Sequence, residues 1–237
     1  MRADGRAFDE IRELKIKPGF LKNPLSSVLV ELGNTMVLCT VSIDEKVPSF
    51  LKGTGTGWIT AEYAFIPGAT SDRTPRETMG RKGRSMEIQR LIGRTLRAVV
   101  DLSKLGERTL WIDCEVLNAD GGTRTASVIG GFVALKLAIK ELIGRGVIQE
   151  DPVLEYMAGI SVGKIGGNFL LDLSYEEDVA AEVDANFFLT ESGKVVEIQA
   201  GAESMPFSWE DFERMKELAE KGIKEIIQKQ KKVLENG

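Results

Sequence analysis

LWIDCEVLNADGGTRTASVIGGFVALKLAIKELI, residues 110–143, is the stretch that decides the fold class. Residues 110–116 read as a strand ending near Asp120, and Gly121-Gly122 breaks it. Residues 123–127 lead into a helix over 127–143 that is apolar almost all round until Lys136 and Lys140. A helix without a wet face belongs in a core, with other elements packed around it. Upstream, the apolar runs 27–32 and 35–43 are joined by Gly33-Asn34, a two-residue hairpin signal, and 58–66 reads as a further strand. Ser85, an N-cap residue type, precedes Ile88, Leu91, Ile92, Leu96 and Val99 at helical spacing. Downstream, strands are expected over 157–162, 169–173, 182–190 and 195–199, with SYEEDVAAE (174–182) as an acidic loop. A last helix starts near Ser208, with Asp211 as a capping-box variant and Phe212, Met215, Leu218, Ile223, Ile226 and Ile227 on its buried face. The order predicts an α+β fold, mixed sheets packed with helices, as a single domain over 1–237.

Composition narrows the chemistry. Among 237 residues there is no histidine and there are only two cysteines, so Ser-His-Asp and Cys-His nucleophilic sites, His-ligated zinc and four-cysteine zinc sites are excluded. Catalysis has to run on carboxylates, Arg, Lys, hydroxyls, backbone amides or an oxygen-ligated metal. Cys39 and Cys114 sit in apolar strand-like runs and are expected as buried, reduced thiols. With 43% apolar and 28% charged residues the chain is an ordinary globular one, and no apolar run nears the roughly 18 residues of a membrane span. The polar start MRADGR lacks a signal-peptide core, so no membrane association and a cytoplasmic location are expected.

Charge is uneven. Between Arg73 and Arg108 ten basic residues face four acidic ones, a local +6 in a chain whose formal charge is −5. Such a block can focus field on a polyanion; it can equally be a solvated helix face beside a charged loop. The loop 67–84, PGATSDRTPRETMGRKGR, is long enough to suggest a functional role.

Two helix starts, Gly83-Arg84-Ser85 and Gly121-Gly122-Thr123-Arg124-Thr125, combine glycine, hydroxyl and guanidinium where unpaired N–H groups favour an anion. Taken singly, each is as readily a tight turn; taken with the basic block, they suggest a phosphate held between two helix ends. Strand alternation puts Glu182, Asp184 and Asn186 on one face, and Asp178 can fold back onto it. That is a carboxylate pair suited to Mg²⁺ and substrate phosphates, or else a solvated strand face.

RADGR (from Arg2), GWITAEY (from Gly57), GRSMEIQRLIGRTLRAVVD (83–101), LGERTLWIDCEVLNADGGTRTAS (105–127) and LDLSYEEDVAAEVDAN (171–186) resemble the ribonuclease PH family of phosphorolytic 3′-exoribonucleases, the tRNA nucleotidyltransferases. The resemblance implies a ribosomal protein S5 domain 2-like fold and attack of inorganic phosphate, as co-substrate, on the 3′-terminal phosphodiester of tRNA precursors. Nucleoside diphosphates are released, and nucleotides are added in reverse. It implies phosphate binding by Arg84, Gly122, Thr123 and Arg124, and catalytic, Mg²⁺-associated acids at Asp178 and Asp184. Guidance of the RNA by Arg73 and Arg76 is implied too, as is a homo-hexamer built as a trimer of dimers. Gly68 stands where the family often has Arg, and Ala200-Gly201-Ala202-Glu203 replaces its usual Gly-Thr-Ala-Glu. Both departures are expected to touch RNA binding and to leave the phosphate and aspartate sets intact. A non-catalytic RNA-binding ring subunit and a hydrolytic Mg²⁺ nuclease are the competing classes.

Overall fold

Gly33, at φ +56°, turns strand β2 (Ser26–Leu32) directly into β3 (Thr35–Asp44), the tight hairpin expected of Gly-Asn. The computed structural model describes residues 2–76 and 83–236. A short β1 (Leu14–Pro18) pairs with β2, and β3 pairs antiparallel with β5 (Thr109–Asn118). Strand β4 (Trp58–Phe65) lies parallel to β5 at the sheet edge, giving the order β1-β2-β3-β5-β4. The parallel pair needs a crossover, which helix α1 (Gly83–Arg97) supplies. A second sheet is antiparallel throughout, in the order β7-β6-β8-β9, from β6 (Met157–Ile165), β7 (Asn168–Leu171), β8 (Val183–Thr190) and β9 (Val195–Ala202).

Helix α2 (Thr123–Gly144) packs on β2, β3 and β5 of the first sheet and on β6 of the second, so its lack of a polar face is satisfied on all sides. Close approach depends on Gly130: a Cβ there would sit 2.7 Å from both Cys39 Sγ and Val30 Cγ2. Helix α4 (Trp209–Asn236) covers the second sheet, and Met215, Ile223, Ile226 and Ile227 are buried while Phe212 and Leu218 are half-buried. Its start carries the expected reciprocal bonds, Asp211 N to Ser208 Oγ at 3.1 Å and Ser208 N to Asp211 Oδ2 at 3.2 Å. Cys39 and Cys114 face each other across β3 and β5 as buried free thiols with sulfurs 3.7 Å apart.

Four expectations change. Strand β1 was not anticipated: LKIKP exposes lysines and buries only Leu14, and it is held by pairing with β2. The acidic segment is not all loop, since Tyr175–Ala180 forms a short helix α3, capped by Ser174 and Glu177 in a capping box. Helix α2 begins at Thr123 rather than Ser127, because Gly122 in the left-handed conformation (φ +67°) turns the chain and Thr125 Oγ1 donates to its carbonyl. Helix α1 likewise runs from Gly83, which puts Ser85 inside it.

Candidate active site

The N-terminus of α2, the start of α1, α3 and the inner face of β8 converge on a cleft of about 660 Å³. Arg84, Gly122, Thr123, Arg124, Asp178 and Asp184 all line it. The six residues sit at four places in the sequence, at the starts of α1 and α2, in α3 and in β8, that only the fold brings together. Gly121 and Gly122 both adopt positive φ (+72° and +67°), which swings the chain so that the first N–H groups of α2 end the cleft wall. No side chain could be added at Gly121, where a Cβ would lie 2.6 Å from Leu173 O.

Arg124 and Thr123 are held by neighbouring side chains. Arg124 Nη1 donates to Gln199 Oε1 at 2.6 Å on β9, and Glu87 of α1 lies 3.8 Å from the same guanidinium. Gln199 Nε2 in turn donates to Glu87 at 2.9 Å. The buried Thr123 accepts from the Tyr63 hydroxyl at 2.8 Å, and burial pushes that hydroxyl up to about 12 although the Thr123 bond and the charges of Arg84 and Arg124 pull it down. Asp184 pairs across the sheet with Gly163 and Gly201, and at Gly201 no side chain covers its carboxylate. Burial lifts the Asp178 carboxyl above its usual range, and the Asp184 charge lifts it further, against Arg124 and Arg84.

The cleft thus combines cationic donors for an anion with two carboxylates that repel each other and feel the arginines. The carboxylate pair fits Mg²⁺, which takes one or two protein carboxylates and completes its shell with water and substrate phosphate. Among the described residues no cluster of three or more His, Cys, Asp or Glu could hold a metal unaided.

Arg73 and Arg76 do not line the cleft; both are exposed on the loop after β4, and Arg76 lies 3.8 Å from Glu115 on the uncovered face of the first sheet. Thr70 and Ser71 of that loop do reach the lining. Several cations of the basic block are engaged within the chain. Arg94 binds Glu197 at 2.5 and 2.7 Å, Arg97 donates to Ile59 O and covers the Trp58 ring at 4.2 Å, and Lys104 and Arg108 pair with Glu150 and Glu45. Glu77, Arg81 and Lys82 lie outside the described residues. At Gly68 an added Cβ would meet nothing within 4 Å, whereas at Gly201 it would lie 3.7 Å from Asp184 Oδ1. The second departure therefore borders the aspartate set, contrary to expectation.

Ser161, Glu203, Gln199, Glu87 and Tyr63 were not singled out as site residues. For Tyr63 a signal existed, since it ends the GWITAEY block.

Residues 10–141 match the family model described as 3′ exoribonuclease family, domain 1, and residues 155–222 match that of domain 2. The chain is 56% identical over 238 residues to Ribonuclease PH of Bacillus subtilis (strain 168), spanning 99% of this chain and 97% of that protein. It is 56% identical over 236 residues to Ribonuclease PH of Bacillus pumilus (strain SAFR-032), spanning 98% of each. Two solved structures are similar with a TM-score of 0.80: rice (Oryza sativa) Rrp46, at 18% identity over 98% of this chain and 100% of that one, and the Archaeoglobus fulgidus exosome with RNA bound to the active site, at 24% over 96% and 92%. At those identities the two structures speak for the fold, which is the mixed α+β arrangement expected.

Proposed function

Because the chain belongs to the ribonuclease PH family of 3′ exoribonucleases, we propose that its cleft is where inorganic phosphate meets the 3′ end of RNA. The activity is phosphorolytic: a phosphate oxygen attacks the phosphorus of the 3′-terminal phosphodiester of a tRNA precursor, and the P–O3′ bond to the penultimate nucleotide breaks. The products are a nucleoside diphosphate and an RNA one nucleotide shorter with a 3′-hydroxyl, in a reaction reversible as nucleotide addition. The observation that carries the assignment of residues is the convergence of two helix starts and two aspartates on one cleft.

The division of labour follows from charge. Arg84, Arg124, the Thr123 hydroxyl and the first N–H groups of α2 hold the attacking anion in line. Asp178 and Asp184 would hold Mg²⁺, which when bound offsets negative charge developing on the scissile phosphoryl group. The nucleophile arrives already anionic, so no base has to deprotonate it, and a chain with no histidine loses nothing by that. Arg73 and Arg76, outside the lining, are proposed to meet the RNA upstream of its terminal nucleotide.

With this we propose a homo-hexameric ring, a trimer of dimers. The face of the first sheet turned away from the helices leaves Leu38 and Leu117 half-exposed and Trp111 exposed, apolar surface that a second copy would cover. The chain is taken as a single domain over 1–237, since one apolar core runs from Ile11 to Ile227 through both sheets. A cytoplasmic location accords with two unpaired thiols, and no helix among the described residues is long and apolar enough to cross a membrane.

One experiment tests the reading: 3′-tailed RNA and Mg²⁺ are incubated with the protein, with and without phosphate, and the product nucleotide is identified. Phosphate-dependent diphosphate is expected; monophosphate without phosphate would indicate a hydrolase, and no product an RNA-binding subunit. Arg124→Ala and Asp184→Asn should each lower the rate at least about 10²–10³-fold.

A further inference from the structure

Strand β4 turns Ile59, Ala61 and Tyr63 towards the helices, and a phenylalanine would fill the third position as well as tyrosine if packing were its only task. The ring is 2% exposed, and its hydroxyl makes one hydrogen bond among the described residues, to Thr123 Oγ1 at 2.8 Å. Thr123 is the first residue of α2 and lines the cleft directly above. A buried polar atom is thus aimed from the core at the hydroxyl expected to touch phosphate. The charges of Arg84 and Arg124 are felt at Tyr63 as well, so the phenol lies within the field of the anion site.

We propose that Tyr63 is a positioning residue for the attacking phosphate, fixing the Thr123 hydroxyl as a donor towards the cleft. The proposal rests on the reading that phosphate binds at Thr123. A phenol is a far stronger hydrogen-bond acid than an aliphatic alcohol, so between the two hydroxyls Tyr63 donates and Thr123 accepts. With an Oγ1 lone pair engaged from below, the Thr123 proton is free to point at a phosphate oxygen. The two bonds run head to tail, and each polarises the other. Without the phenol, the Thr123 hydroxyl can rotate and present a lone pair to the anion.

The test is a double-mutant cycle on the full-length protein, with KM for inorganic phosphate, KM for RNA and kcat measured separately. Tyr63→Phe should raise the phosphate KM about three- to tenfold, the worth of one hydrogen bond, and leave kcat at saturating phosphate and the RNA KM near their parent values. In a Thr123→Val background the same change should add nothing, whereas in Thr123→Ser, which keeps a hydroxyl, the full effect should return. An unchanged phosphate KM, an equal effect with and without the Thr123 hydroxyl, or a matching rise in the RNA KM would each overturn the proposal. Should the parent protein release no diphosphate in response to phosphate, it is the functional reading that fails. Thermal melting of Tyr63→Phe separates a local effect from a damaged core, and a lowered melting temperature with both KM values raised also counts against the proposal.

Discussion

Asp172→Asn should destabilise the protein by about 3 kcal/mol, although it changes one atom and no volume. Asp172 is fully buried and accepts from Arg12 three times, at its N (2.8 Å), Nε (2.9 Å) and Nη2 (2.7 Å). It sits at φ +56°, a conformation that Asn tolerates as well as Asp, so the substitution adds no backbone strain. What it removes is the charge. Arg12, buried itself, then keeps a guanidinium whose principal counter-ion is gone, and the Asn amide can turn only one acceptor towards three donors. Breaking a buried pair costs about 3–5 kcal/mol, and the retained neutral acceptor places this case at the lower end. For a chain of this size that is a fall in Tm of about 6–12 °C, read by circular dichroism at pH 7 without phosphate. Arg12→Met in the same chain should recover part of the loss, because it removes the orphaned charge. The consequence reaches the site, since Arg12 Nη1 also donates to Asp120 O at 2.5 Å, next to Gly121 and Gly122 of the cleft lining. The phosphate KM should therefore rise with the loss of stability. A Tm within about 2 °C of the parent would refute the view that this buried pair braces the loop.

Asp178→Asn should trade activity for stability. Its carboxyl is raised in the folded protein, so its contribution to stability is fully present below the unfolded value and is lost as pH rises through the folded one. The Asn variant should accordingly melt higher than the parent at pH 8, match it near pH 3, and be inactive in phosphorolysis. Gly159→Ala tests the second sheet: the new Cβ would lie 2.4 Å from the Phe188 ring, an overpacking that costs about 1–3 kcal/mol and should appear as a lowered urea midpoint.

How much of this was legible depends on the distance over which each element is determined. Helix α2 could be read from its own residues because an apolar circumference has no other use, and the Gly33-Asn34 hairpin and the Ser208–Asp211 cap are decided within four residues. Helix α3 could not. Its six residues would not be helical alone, and they are held partly by Arg2, which grips Glu177 with bonds of 2.8 and 2.6 Å from 175 positions away. The same rule divides the site. Helix starts and paired acids carry their chemistry in short motifs, so Arg84, Arg124, Asp178 and Asp184 stood out before their convergence was known. Gln199, Glu87 and Tyr63 act only through a partner, and no local pattern marks a glutamine 75 positions from the arginine it orients. Charge counting says little about the site for a related reason. A run of basic residues has a net sign, but whether each guanidinium faces solvent, a carboxylate or a backbone carbonyl is settled by strands elsewhere, as β9 does for Arg94 and β4 for Arg97. Of the cations in the block, Arg84 is the one among the described residues that lines the cleft, and any account of RNA binding built on the +6 block overstates it.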